Sequence, residues 1–169
     1  MKSSRITRFK DLLQAAAPLP MLALGYLMGL LLALVAIGMR LVPLGAPPES
    51  ISFFAALNRQ IACELPIAML ICTAGLARFP RLCQLLLCYR SLLWSYGSVC
   101  IYWSKGQGFS YFCYVISVGA TLFSFCCLTR LATEFAKRPP ADSMDQTVTY
   151  LGGCLFYFGL ILLTLPLRG

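Results

Sequence analysis

The sequence predicts an all-α fold, a polytopic membrane helical bundle of about five transmembrane helices plus a short external interfacial helix. Three observations carry this reading. Hydrophobic residues make up 59% of the chain and charged residues 12%, with a mean hydropathy of +0.78, whereas water-soluble domains run nearer half apolar and a quarter charged. Two apolar runs, Leu82 to Trp103 and Phe109 to Thr129, meet at Ser104-Lys105-Gly106-Gln107-Gly108, and the first carries a single charge, Arg90. Each run is about 30 Å long as a helix, the thickness of a bilayer's hydrocarbon core. The lysine and glycines between them suit a polar turn and interrupt the helix, which makes a transmembrane hairpin. Finally, the runs are continuous rather than alternating, so each segment satisfies its own backbone as a helix and not as a barrel strand.

Residues 1–18 form a basic start, with Lys2, Arg5, Arg8 and Lys10 against Asp11. A signal peptide has a similar pattern, but Leu19 to Met39 is longer than a typical h-region, and Ala15-Ala16-Ala17 precedes that run rather than following it. We read 19–39 as an uncleaved first span with a cytoplasmic N-terminus. Gly25, Gly29 and Ala33 recur at four-residue steps along it, a helix-packing face on which another helix approaches closely. That face serves the chain's own helices first, with a partner or dimer as the alternative. Leu41 to Pro48 holds three prolines and a glycine and is a loop.

Glu49 to Cys63 patterns as the interfacial helix. Ile51, Phe54, Leu57 and Ile61 recur at helical steps, Asn58, Arg59 and Gln60 take the other side, and Ser50 suits an N-cap. The next segment, 61–79, is short for a span and ends in Arg78-Phe79-Pro80-Arg81. Charge bias decides in favour of its crossing. If it spans, Lys2, Arg5, Arg8, Lys10, Arg78, Arg81, Arg130, Lys137 and Arg138 lie inside and Arg40, Arg59, Lys105 and Arg168 outside, a nine-to-four split. If it does not, the split is six against seven, so the positive-inside rule favours five spans. The remaining spans are 82–103, 109–129 and 147–165. The fourth extends past the membrane through Glu134 and Phe135 until Pro139-Pro140 stops it, and Asp142-Ser143-Met144-Asp145 opens the fifth. The C-terminus then lies outside the membrane.

The formal net charge of +8 belongs to topology and anionic headgroups rather than nucleic acid, because the cations sit at the ends of apolar runs without interleaved aromatics. Nine cysteines are present, yet no CxxC and no histidine, so the thiols read as small packing residues and no metal or cofactor is expected. Six carboxylates, no intramembrane carboxylate pair and no phosphate-binding glycine motif leave no enzyme constellation. Interaction candidates remain. Arg90 lies about eight residues from the inner end of its helix, where an arginine costs several kcal/mol unless it snorkels, pairs or meets water. It reads first as a snorkelling anchor and otherwise as a site, with Trp94 beside it. Glu64 reads first as an ordinary interfacial acid, and otherwise as a partner of Arg59, or of Arg90 only if the bundle folds inward. Arg59 and Lys105 belong to the external surfaces Leu41 to Glu64 and Trp103 to Phe109.

From Phe54 to about Arg138 the order of elements resembles the stage II sporulation protein M family. The resemblance rests on the external helix with Asn58, the short span with Ala74-Gly75-Leu76, and the run from Arg90 through Trp94 to Gly97-Ser98. It continues through the turn Gly106-Gln107-Gly108-Phe109 and Tyr111-Phe112-Cys113-Tyr114-Val115. It implies a five-helix membrane protein of endospore-forming bacteria that acts in engulfment and anchors a peptidoglycan-remodelling complex at the septal membrane. The implied partners are cell-wall hydrolases or other membrane subunits, alongside membrane lipids. The alternative is a small membrane-embedded transporter subunit with a binding pocket at membrane depth near Arg90, Trp94 or Tyr114.

Overall fold

The computed structural model describes residues 18–39, 41, 53–105, 109–137 and 144–164. They form five helices, α1 (Pro18–Gly38), α2 (Phe53–Leu76), α3 (Pro80–Lys105), α4 (Phe109–Lys137) and α5 (Met144–Thr164). Among the described residues there is no strand. Side-chain contacts fix an up-and-down arrangement. Tyr102 and Tyr111 meet with ring centroids 5.2 Å apart where α3 passes to α4. Ser117 near the start of α4 donates to the Thr164 carbonyl at the end of α5 at 2.5 Å. At the opposite end, Tyr150 Oη donates to the Cys72 carbonyl of α2 at 2.8 Å.

Three helices are long and apolar enough to cross a membrane, at Pro18–Gly38, Tyr111–Lys137 and Met144–Thr164. In α2 the apolar part is Ile61–Leu76, and α3 is diluted by Gln84, Arg90 and several serines. These two helices therefore form the polar seam of the bundle. α1 packs chiefly on α3, and α5 on α4, while α2 lies against both α3 and α4. The core is drawn largely from α2, α3 and α4: Ala68, Ile71, Leu87, Phe125 and Leu128 are each fully buried.

The structure redraws one boundary. Our reading separates an interfacial helix over Glu49 to Cys63 from a span over 61–79, whereas α2 runs unbroken from Phe53 to Leu76 with Pro66 inside it. Pro66 removes one backbone bond, to the Ala62 carbonyl; Pro66 and Ala62 both lie on the exposed side of α2, and the helix continues through them. The fourth span and its extension through Glu134 and Phe135 form one helix of 29 residues, as the sequence reading has it. Helix α2 ends in a Schellman-type cap: the Phe79 N–H donates to the Ala74 carbonyl at 2.9 Å and the Arg78 N–H to the Gly75 carbonyl at 3.1 Å. Arg78 supplies the left-handed residue, at φ 61°, a position that usually belongs to glycine.

The basic N-terminus, the loop from 42 to 48, the turn Gly106-Gln107-Gly108, the helix opening at Asp142-Ser143 and the tail after Thr164 lie outside the described residues. The backbone of Arg59 is within α2 and that of Lys105 ends α3, but their side chains also lie outside the described set.

Candidate functional site: a buried arginine–carboxylate pair

The inward stripe of α2 runs through Glu64, Ala68, Ile71, Cys72 and Gly75, and that of α3 through Cys83, Leu87, Arg90, Ser91 and Trp94. Both follow three- and four-residue steps, the period of a single helix face. Glu64 and Arg90 thus occupy core positions on facing helices, and their neighbours on each stripe are mostly small or apolar. Arg90 lies ten residues past Pro80, about 15 Å along the helix axis. Glu64 lies twelve residues before Leu76, about 18 Å by the same measure. The two therefore reach a common depth near the middle of the bundle.

There they form one unit. Arg90 Nε–H donates to Glu64 Oε2 at 2.7 Å, and Nη2–H donates to Oε1. This is the bidentate fork for which guanidinium and carboxylate are matched in shape. Trp94 adds a third donor, its indole Nε1–H reaching Oε1 at 3.2 Å. The same indole lies under the Arg90 guanidinium, 4.7 Å from its carbon to the ring centroid, where the ring quadrupole favours a cation. Phe125 of α4 meets Trp94 edge to face, with ring centroids 5.9 Å apart. The arginine and glutamate side chains retain 7% and 2% of their exposure.

This arrangement corrects two readings of the sequence. Arg90 does not snorkel to an interface, and Glu64 is not an interfacial acid. An isolated charge at this depth costs several kcal/mol, and pairing turns two such charges into one neutral group whose hydrogen bonds are made internally. The helix start accounts for part of the difference: counted from Phe53 rather than Ile61, Glu64 falls in the middle of its helix rather than at the outer edge.

A second cluster sits towards the Arg81 end of the bundle. Tyr150 is buried, stacks on Phe135 at 4.2 Å between centroids and bonds to the Cys72 carbonyl. Gly75 leaves the room for its hydroxyl. No pattern in the sequence marks Tyr150, since its partner Cys72 lies 78 residues away on another helix. Gly25, Gly29 and Ala33 of α1 are buried against α3. A Cβ on Gly25 would collide with the Cys88 carbonyl, and one on Gly29 with the Leu92 carbonyl. Ser91 Oγ–H fastens the same seam by donating to the Leu22 carbonyl at 2.7 Å. Among the described residues, no three histidine, cysteine or acidic side chains converge as metal ligands, and Cys72, Cys83 and Cys154 are buried free thiols.

No family model matches the chain, and neither the curated proteins nor the solved structures yield a match.

Proposed function

We propose that this chain is a non-catalytic, multi-pass membrane scaffold: five helices crossing a bacterial cell membrane, N-terminus cytoplasmic and C-terminus outside, holding partner proteins in place. Following the resemblance to the stage II sporulation protein M family, those partners are cell-wall hydrolases and associated subunits of a peptidoglycan-remodelling complex. The observation that supports a scaffold is the neutralisation of its buried charge. Among the described residues, the two charged side chains buried in the bundle core are paired with each other, and Trp94 bonds to the pair. A rigid bundle of this kind presents surfaces rather than chemistry.

Cross-linking in native membranes followed by affinity purification of the full chain is the direct test. Recovery of a wall hydrolase or a dedicated membrane subunit is the expected result, and recovery of neither overturns the scaffold. Reporter fusions at Met1 and Gly169 test the crossing number separately. An odd number places them on opposite sides of the membrane, and a same-side result removes the five-span topology.

One observation favours a transporter subunit instead: ionisable residues at mid-depth commonly mark transport pathways, and the Glu64–Arg90 pair is such a site. That reading requires a ligand to stabilise the protein, by about 2.7 kcal/mol at 100 times its Kd. A thermal-shift panel of vitamins and metabolites that gives no response excludes it.

A further inference from the structure

The seam between α2 and α5 brings two thiols together. Tyr150 Oη donates to the Cys72 carbonyl at 2.8 Å, and a Cβ on Gly75 would collide with the same hydroxyl. These contacts fix the register of two helices that run in opposite directions. Cys154 lies one turn beyond Tyr150 along α5, and Cys72 lies three residues back from Gly75 along α2. The two cysteines therefore face each other one turn further into the bundle. Their side chains meet there, thiol to thiol. Both thiols are free. At 7% and 2% exposed, Cys72 and Cys154 belong to the same core cluster as Ala68, Ile71 and Leu128.

We infer that Cys72 and Cys154 form a redox latch, a disulfide that ties α5 to α2 when hydrogen peroxide oxidises the pair. Peroxide is small and uncharged, so it enters an apolar interior that excludes ionic oxidants. Cys72, the more exposed of the two, attacks one peroxide oxygen and becomes a sulfenic acid, and the first water leaves. The Cys154 sulfur then attacks the Cys72 sulfur, the S–O bond breaks, and the second water leaves. Two thiols and one peroxide thus become one disulfide and two waters. Burial favours this product over a captured soft metal ion. A disulfide is neutral, whereas two thiolates around a monovalent ion leave a negative charge in a low-dielectric interior. Among the described residues, no third histidine, cysteine or acidic side chain completes a ligand set. The same burial keeps charged thiol reductants from the bond once it has formed. Elsewhere α5 packs chiefly on α4, so the latch closes a covalent ring through α2, α3, α4 and α5.

The test treats the full chain in native membranes with hydrogen peroxide, then unfolds it, alkylates the remaining thiols and digests it for mass spectrometry. Oxidised wild-type chains lose two of their nine alkylatable thiols and yield a peptide pair joined through Cys72 and Cys154. Cys72→Ala and Cys154→Ala each abolish that pair. Cys83→Ala, which removes another buried thiol of the same core cluster, leaves it. Thermal melts in mixed micelles give the oxidised chain a higher midpoint, because the bond restricts the unfolded chain, and both single variants lack this gain. A wild-type chain that yields no joined pair, or one that joins Cys83 or Cys63 as readily, overturns the latch. So does oxidation that stops at a sulfinic acid on Cys72, or a joined chain that melts no higher than the reduced one.

Discussion

The two seams of α3 hold their neighbours by opposite means. On the α1 side the contact is made of atoms that are absent: Gly25 and Gly29 have no side chains, and the Cys88 and Leu92 carbonyls come close enough to fill the space. On the α2 side the contact is made of a charged pair, three donors and an aromatic lid. The first seam is lost by adding atoms and the second by removing them. Close approach of small residues and internal hydrogen bonds are two ways of holding helices together, and α3 uses one on each face.

The largest effect follows from removing half of the pair. Glu64→Ala leaves a guanidinium buried with no counter-charge and destabilises the chain by about 3–5 kcal/mol. Arg90→Met costs less, since a carboxyl group can take up a proton whereas the guanidinium keeps its charge. Replacing both, Glu64→Leu with Arg90→Met, restores most of the loss, because a neutral apolar pair of similar volume is often as stable as the ion pair it replaces. Unfolding titrations in mixed micelles measure all three. A double variant as unstable as Glu64→Ala would show that the pair contributes through more than mutual neutralisation.

The other seam breaks in the opposite direction. Gly25→Ala and Gly29→Ala each place a methyl against backbone that cannot swing aside and cost about 1–3 kcal/mol. Gly119→Ala, where a Cβ meets nothing within 4 Å, is neutral or gains up to about 1 kcal/mol from the unfolded chain's lost freedom. If the first two changes leave stability untouched, α1 does not seat on α3 as closely as the contacts require.

This contrast also explains what was legible in the sequence. The α1 face announced itself through Gly25, Gly29 and Ala33, because small residues at four-residue spacing have few other uses in an apolar helix. The hairpin was equally plain, and α3 and α4 each start or end within a few residues of the expected positions. The pair was harder. Each half is a single charge in a different run, and their partnership depends on the relative shift of two helices along their axes, which periodicity does not encode. Taking Ile61 rather than Phe53 as the start of α2 moved Glu64 by eight residues, about 12 Å, and placed it at an interface. The Tyr150 bond to Cys72 was invisible for the same reason, since it joins α5 to α2 across residues far apart in the chain.

Tyr150 offers a smaller test of the α2 side without touching the charges. Tyr150→Phe keeps the stack on Phe135 and removes only the hydroxyl that bonds the Cys72 carbonyl. The expected loss is about 1 kcal/mol, the ordinary net worth of one hydrogen bond. A loss near that of Glu64→Ala would mean that this clamp, rather than the charged pair, is what keeps α2 in place.

The smallest effect comes from a second arginine–glutamate pair that has the same chemistry and the opposite setting. Arg130 Nε–H donates to Glu134 Oε1 at 2.8 Å, one turn along α4, and the two side chains are 51% and 52% exposed. Water already solvates both ions, so joining them gains little and holding them costs side-chain freedom. Arg130→Gln therefore changes stability by no more than about 0.5 kcal/mol, and about 0.5 M salt removes most of that difference. The Arg90–Glu64 pair, 7% and 2% exposed, is beyond the reach of screening ions, and the penalty of Glu64→Ala persists at the same salt concentration. Measuring both variants across a salt series compares one pairing chemistry in two settings, a buried fork between helices and a solvated single bond along one helix.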